Sequence, residues 1–194
     1  MSGPIAVAIT GGIGAGKSEA LMAFGRHGAA TVSSDEIVHE LLRRDDLRET
    51  IRQRFGNGVI GPDGQLDRGA IGTVVFNDRE QLDWLEAALH PLVSAEYLAW
   101  RVRLGQLRHP PHVCVTEVPL LYESGSERYF DKVVVITAPL EVRSARADRT
   151  ISEREWRLLP EAEKVERADF SYVNTASLTE LDAFVASVLA ALDT

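Results

Sequence analysis

The chain is poor in cysteine and has no long apolar run. A single cysteine occurs in 194 residues, which excludes an internal disulfide and a cysteine-based metal site. Cys114 stands in the apolar run Val113-Cys114-Val115, so we expect it to be a small buried hydrophobic residue. No apolar run is long enough to cross a bilayer, and the N-terminus has no cleavable signal-peptide pattern. These absences lead us to expect a cytoplasmic protein without membrane partners.

The chain also lacks an excess of positive charge. Its formal net charge is −8, whereas a general nucleic-acid surface needs a basic stripe that replaces counterions. We therefore expect small-molecule partners, no nucleic acid, and a monomer or weak homo-oligomer. Lysine is rare, and the arginines concentrate in two segments, residues 43–54 and 143–157. Most of these arginines are expected on solvated helix faces.

A glycine-rich motif near the N-terminus carries the strongest signal. Residues 11–18 read G-G-I-G-A-G-K-S, a complete G-x-x-x-x-G-K-[ST] loop, and the preceding apolar run Ile5–Thr10 predicts a buried strand. Such a loop turns successive backbone N–H groups toward a phosphate at the N-terminus of the following helix. We expect Lys17 to reach the β- and γ-phosphates and Ser18 to bind Mg²⁺. The predicted nucleotide-binding residues of the loop are Gly12, Ile13, Gly14, Ala15, Gly16, Lys17 and Ser18.

Five apolar segments, separated by helical patterns, define the fold class. They are Ile5–Thr10, Ala29–Val32, Val113–Thr116, Val133–Thr137 and Phe170–Val173. Strands that alternate with helices predict an α/β protein with a parallel five-stranded sheet of the P-loop NTPase type. Ligands of such sheets bind at the carboxyl ends of the strands.

Helical spacing dominates the segments between these strands. Ser34 is predicted to cap a helix, and residues 45–55 are predicted as a second short helix. Residues 66–107 show helical spacing without a strand signal, with His90-Pro91 ending one helix and starting the next. We expect one domain over residues 1–194, with a helical insertion at 66–107 and an arginine-rich segment at 139–167.

Two acidic residues are predicted to lie at or just after the ends of strands. Asp35 follows the second predicted strand, where a carboxylate could accept the proton of an attacking hydroxyl or serve the N-terminus of the next helix. Glu117 ends the third strand, where P-loop enzymes keep an acid that faces Mg²⁺ directly or through water. Both acids are therefore candidates for phosphoryl-transfer chemistry.

Several segments together resemble the dephospho-coenzyme A kinase family over nearly the whole chain. In chain order they are T-G-G-I-G-A-G-K-S at residues 10–18, Ser34-Asp35 with His39, Leu66-Asp67-Arg68, Leu85-Glu86 with His90-Pro91, E-V-P-L-L-Y-E at residues 117–123, Lys164, Ala168-Asp169-Phe170 and Asn174. This combination is far more specific than a P-loop alone.

The resemblance implies transfer of the ATP γ-phosphate to the ribose 3′-hydroxyl of dephospho-coenzyme A, with Mg²⁺ as cofactor. It implies that Lys17 and Asp35 are catalytic, with Asp35 as the base, and that Glu19, Arg146 and Arg149 join the loop in binding ATP. The insertion would receive the acceptor, and the arginine-rich segment would form a lid that excludes water. The implied acceptor-binding residues are Asp35, His39, Arg68, His90, Pro91 and Leu120.

The sequence departs from the family pattern at three positions. Ser33 replaces the first acid of the usual Asp-Ala-Asp, and Leu158 stands where glutamine is common. Ala145 occupies an arginine position of the lid, for which Arg143 or Arg146 could substitute.

Two other functions are weighed against this kinase. A P-loop switch protein fits poorly, because residues 174–177 read N-T-A-S and not the guanine-reading Asn-Lys-x-Asp. The P-loop and Asp35 serve any hydroxyl acceptor, so a nucleoside, a nucleotide or a small alcohol stays open from those residues alone.

Overall fold

A central five-stranded sheet organises the protein. The structure, a computed structural model, describes residues 3–76, 78–146, 158–175 and 177–193. The strands are β1 (Ile5–Thr10), β2 (Ala30–Ser33), β3 (Val113–Glu117), β4 (Lys132–Thr137) and β5 (Phe170–Val173). All paired strands run parallel, in the order β2-β3-β1-β4-β5. The predicted α/β class and parallel sheet are confirmed, and the carboxyl ends of all five strands share one edge.

Helices connect the strands. They are α1 (Lys17–Arg26), α2 (Ser34–Leu41), α3 (Asp45–Phe55), α4 (Arg68–Phe76), α5 (Arg79–Gly105), α6 (Leu140–Arg146), α7 (Glu161–Glu166) and α8 (Leu178–Leu192). Short 3-10 turns occupy Asn57–Val59 and Ser126–Tyr129. In the part of the chain that the structure describes, no helix is both long and apolar enough to span a membrane.

The core covers both faces of the sheet, which explains the unbroken apolar runs of the central strands. Side chains alternate between the two faces along β1. Val7 and Ile9 pack with Phe24 of α1 and with Leu181 and Val185 of α8. Ala8 packs on the opposite face with a cluster that includes Leu121, Tyr122 and Val135. The edge strands β2 and β5 are only partly buried.

Contacts within the chain divide the fold into two compact units. One unit is Met1–Ser34 with Tyr97–Thr194, and it contains the whole sheet. The other is Asp35–Glu96, which holds α2, α3, α4 and the first part of α5. The predicted helical segment 66–107 is helical over α4 and α5, and it contributes residues to each unit.

Two predictions about helix ends differ from the structure. Ser34 is the first residue of α2 rather than a preceding cap, and its buried hydroxyl makes no hydrogen bond to the described residues. The predicted helix junction at His90-Pro91 is wrong, because α5 runs unbroken from Arg79 to Gly105 with Pro91 inside it. A proline removes one backbone donor, but the 27-residue helix continues past it, with Leu85 and Val93 buried on either side of Pro91.

Candidate active site

The glycine-rich loop lies between the carboxyl end of β1 and the first turn of α1. Lys17 and Ser18 are the first two residues of α1, and Glu19 follows in its first turn. Lys17 Nζ donates a hydrogen bond to the Gly12 carbonyl oxygen at 3.0 Å, so the ammonium group is held against the loop. The predicted residues 12–19 therefore form one continuous loop and helix start.

Two glycines of the loop cannot carry a side chain. Gly14 and Gly16 have φ values of 74° and 97°, which lie in the left-handed region that favours glycine. A Cβ on Gly14 would lie 2.7 Å from the carbonyl oxygen of Arg143, and a Cβ on Gly16 would overlap the side-chain amide of Asn174. The loop is thus packed directly on α6 and on the residue that follows β5.

An acid at the end of β3 faces the start of α1. The Ser18 hydroxyl donates to Glu117 Oε1 at 3.4 Å, and Glu117 is 5% exposed. In the sheet register Glu117 pairs with Ile9 of β1 on one side and Ser33 of β2 on the other. A hydroxyl and a carboxylate are oxygen donors of the kind that Mg²⁺ prefers.

The described residues contain no denser metal site. No group of three or more His, Cys, Asp or Glu side chains that could hold a metal ion occurs among them. Mg²⁺ is commonly bound by only one or two protein oxygens, with other ligands from water or substrate phosphates. The pair formed by Ser18 and Glu117 fits such a site.

Asn174 supports the loop from a distant part of the chain. Its backbone N–H donates to the Thr137 carbonyl oxygen at 2.7 Å, and its side-chain Nδ2 donates to the Ala15 carbonyl oxygen at 2.9 Å. Asn174 is buried. Sequence reasoning gave this residue no role, because its partner lies 159 positions away; its place just after a parallel strand was the available signal.

The two described arginines at the end of α6 have different surroundings. Arg143 is buried, and its Nε donates to the Ala138 carbonyl oxygen at 3.1 Å and lies 3.6 Å from Glu161 Oε1. Arg146 is exposed, and its Nη1 lies 3.7 Å from the Cβ position of Gly16. Arg143 therefore braces α6, whereas Arg146 faces the phosphate-binding loop. Arg149 lies outside the described residues, which resume at Leu158.

The segment that follows β3 holds α7 through charged contacts. Lys164 Nζ, which is almost completely buried, lies 2.7 Å from Glu123 Oε1. The guanidinium of Arg167 lies 4.1 Å from the ring centre of Tyr122, and burial raises the pKa of the Tyr122 hydroxyl. The P-L-L-Y-E residues and Lys164, which the resemblance singled out, therefore join the two segments that flank β4.

Cys114 fills the structural position expected of it. It is 2% exposed within β3, and burial raises its thiol pKa to about 11. A thiol of that pKa is neutral and unreactive at physiological pH. It takes no part in the site.

The predicted acceptor-binding residues lie on several elements. Asp35 is in the first turn of α2, and His39 is in its last turn. Arg68 is the first residue of α4, and His90 and Pro91 lie inside α5. All five belong to the unit Asp35–Glu96. Leu120 belongs to the unit that contains the sheet, in the turn after β3, where its carbonyl oxygen accepts a hydrogen bond from the Ser124 hydroxyl at 2.8 Å.

Comparison with known proteins gives a consistent result. The sequence model of the family described as "Dephospho-CoA kinase" matches residues 5–180. The dephospho-CoA kinase of Symbiobacterium thermophilum is 39% identical over an alignment of 180 residues, and the match covers 89% of this chain and 74% of that protein.

Two solved structures are similar over nearly their full lengths. The crystal structure of TT1252 from Thermus thermophilus is 34% identical, with a TM-score of 0.78, and the match covers 98% of this chain and 99% of that one. The dephospho-CoA kinase from Campylobacter jejuni is 28% identical, with a TM-score of 0.69 and coverage of 95% of both chains.

Proposed function

The chain belongs to the dephospho-CoA kinase family, which phosphorylates dephospho-CoA with ATP in the final step of coenzyme A biosynthesis, and we propose that Lys17 and Asp35 are its catalytic residues. The observation that carries the proposal is the loop geometry. Lys17 lies against the Gly12 carbonyl, and Ser18 contacts the buried Glu117 at the adjoining strand end. These groups meet at the edge of the sheet where a nucleotide phosphate would bind.

The phosphate-binding loop holds ATP in this proposal. The backbone N–H groups of residues 12–16 and the N-terminus of α1, including Glu19, surround the phosphates. Lys17 leaves the Gly12 carbonyl for the β- and γ-phosphates, where its charge offsets the negative charge that shifts in the transition state. Arg146 contributes a second cation, because its guanidinium already borders Gly16. Arg149 is proposed as a further ATP contact on the resemblance alone.

Mg²⁺ is the proposed cofactor, held by Ser18 with Glu117 facing it directly or through water. When bound, the ion would neutralise charge on the phosphate oxygens. The protein's own contribution is to keep one hydroxyl and one buried carboxylate in place beside the loop.

Asp35 is the proposed general base. Its carboxylate accepts the proton of the ribose 3′-hydroxyl as that oxygen forms a bond to the γ-phosphorus. The bond between the γ-phosphorus and the β,γ-bridging oxygen breaks, and ADP leaves with the electron pair. Its position supports the role, because Asp35 lies two residues after the end of β2, in the first turn of α2.

The acceptor is proposed to bind through His39, Arg68, His90, Pro91 and Leu120 together with Asp35. Arg68 supplies donors and positive charge for a phosphorylated substrate, and the two histidines supply ring N–H donors. We propose that residues 66–107 form the acceptor-binding insertion and residues 139–167 the lid of a single kinase domain. A cytoplasmic location and a monomer or weak homo-oligomer without a nucleic-acid partner complete the proposal.

Product analysis tests the assignment. The protein is incubated with Mg-ATP and a mixture of dephospho-CoA, a nucleoside, a nucleotide and a small alcohol, and the products are identified by mass. We expect a gain of one phosphate on dephospho-CoA alone, with formation of ADP. Phosphorylation of another acceptor in preference to dephospho-CoA would contradict the proposed substrate while leaving the ATP site intact.

A further inference from the structure

Asn174 has contacts that no step of the phosphoryl transfer uses. It follows β5 directly, and its backbone N–H is fixed on the Thr137 carbonyl at the end of β4. Its side chain reaches across the edge of the sheet to the Ala15 carbonyl oxygen at 2.9 Å, and both residues are buried. A buried amide donor aimed at a loop carbonyl is a specific contact, because a lost buried hydrogen bond leaves an unsatisfied group.

The contact controls the direction of a loop N–H group. The Ala15 carbonyl and the Gly16 N–H belong to one peptide plane, and in a trans peptide they point in opposite directions. The described residues contain no cis peptide. Because Asn174 holds the carbonyl toward the protein, the Gly16 N–H is turned to the other side of the plane. Backbone N–H groups of this loop are the donors that bind phosphate oxygens.

The same amide also occupies the space beside Gly16. A Cβ on Gly16 would overlap Asn174 Nδ2, and Arg146 Nη1 lies 3.7 Å from that Cβ position. The amide of Asn174 and the guanidinium of Arg146 therefore border one side of Gly16. At φ 97° this position favours glycine, and the two neighbours leave no room for a side chain there.

We propose that Asn174 is a positioning residue for phosphate binding, which acts by orienting the Ala15–Gly16 peptide of the P-loop. The proposal rests on the P-loop being the ATP site. Asn174 touches the loop and not the reacting atoms, so its removal weakens binding of the phosphate chain without altering the acceptor site.

Two variants and one control test this role. Asn174→Ala removes the amide, and Asn174→Asp keeps its shape but replaces the donor with an oxygen. Ser177→Ala is the matched control. Ser177 lies three residues after Asn174 and caps α8 by accepting a hydrogen bond from the Glu180 N–H at 3.3 Å. Loss of a cap lowers the Tm by about 2–4 °C in a protein of this size without touching the loop.

Affinities for ADP, tripolyphosphate and dephospho-CoA are measured in Mg²⁺, with tripolyphosphate competing against ADP. For Asn174→Ala we expect Kd to rise about tenfold for both ADP and tripolyphosphate, the equivalent of about 1.4 kcal/mol, with dephospho-CoA within about twofold. Asn174→Asp should bind both ligands more weakly still at pH 8. The ratio of its Kd to that of the unmodified protein should decrease as the pH falls, because a protonated carboxyl can donate again and burial raises the pKa of an acid.

The control and the alternatives give different results. Ser177→Ala should bind all three ligands normally. Weakened ADP binding with unchanged tripolyphosphate binding would mean that Asn174 contacts the nucleoside. Unchanged ADP binding, or an equal loss of affinity for every ligand, would mean a purely structural role. Each of these results would overturn the proposal. Failure of the unmodified protein to bind ADP would instead overturn the assignment of the P-loop as the ATP site.

Discussion

The edge of the sheet at the P-loop and the unit Asp35–Glu96 hold their charged and polar groups in different ways. At the P-loop, contacts join residues far apart in the chain, such as Asn174 with Ala15 and Ser18 with Glu117, which are 159 and 99 positions apart. In the other unit, the arginines of α3 pair with nearby acids at the surface. The Arg52 guanidinium, for example, lowers the pKa of Glu49 to about 2 by hydrogen bonding.

The difference shows which part of the function the fold itself fixes. Exposed ion pairs contribute little to stability and do not define a site, whereas buried long-range polar contacts fix geometry. The proposed nucleotide side is therefore supported by observed contacts of the loop. The proposed acceptor side depends on the family and on the positions of its residues within α2, α4 and α5.

The largest expected effect concerns Asp35, the residue that links the acceptor side to the reaction. Asp35→Asn should lower kcat by about 10²–10⁴-fold, the contribution of a general base, while ATP affinity stays unchanged. Glu36→Gln, at the next position of α2, is the control and should keep nearly normal turnover. Near-normal kcat with a lower Tm for Asp35→Asn would assign Asp35 to the helix N-terminus instead.

A slightly smaller loss is expected at the P-loop. Lys17→Ala should lower kcat by about 10²–10³-fold, because the lost cation stabilises charge that shifts in the transition state. The Tm should change little, since the hydrogen bond from Lys17 to the Gly12 carbonyl is only partly buried. Lys132→Ala, at the amino end of β4, is the control for kcat. A folded Lys17→Ala protein that retains most of its kcat would contradict the assignment.

His90 tests whether α5 belongs to the acceptor side. His90→Ala should raise the KM for dephospho-CoA about tenfold, the equivalent of one good hydrogen bond, and leave ATP affinity unchanged. His109→Ala, an exposed histidine beyond α5, serves as the control. A lower Tm with parallel losses for both substrates would show that His90 only supports the helix.

The smallest expected effect is a loss of stability in the unit that contains the sheet. Lys132 Nζ and the Val133 N–H donate to Asp169 at 2.8 and 2.9 Å. Burial alone would raise the pKa of Asp169, but these two hydrogen bonds outweigh it and lower the pKa below the ordinary 3.8. Asp169→Asn should therefore lower the Tm by about 2–4 °C at neutral pH.

The pH dependence of the Tm difference between Asp169→Asn and the unmodified protein follows from the lowered pKa of Asp169. A depressed pKa contributes stability above the pKa of the unfolded state and loses it as the pH falls through the folded pKa. The difference in Tm between the two proteins should shrink as the pH falls below about 4. A gap that stays constant with pH would mean that the carboxylate charge of Asp169 contributes nothing.

The strands and their parallel arrangement could be predicted from the sequence, whereas individual contacts between residues far apart in the chain could not. Ile5–Thr10 and Phe170–Val173 match β1 and β5 in full, because apolar composition and flanking polar residues mark strand ends. The continuation of α5 through Pro91 was missed, since packing along a long helix outweighs one lost hydrogen bond.

The site was predictable to the same extent. The loop motif identified residues 12–18 because its glycines, lysine and serine are adjacent in sequence. The role of Asn174 depends on parallel strands that bring distant residues to one edge, and no local pattern encodes its contact with Ala15. Which of two nearby arginines faces the loop was also decided by burial, which leaves Arg146 exposed and Arg143 enclosed.

A crossed binding measurement tests the central claim, that nucleotide and acceptor are bound by separate sets of residues. Affinities for ADP and for dephospho-CoA are determined for Lys17→Ala and His90→Ala alongside the unmodified protein. We predict that Lys17→Ala weakens ADP alone and His90→Ala weakens dephospho-CoA alone. Equal weakening of both ligands in each variant would contradict the account.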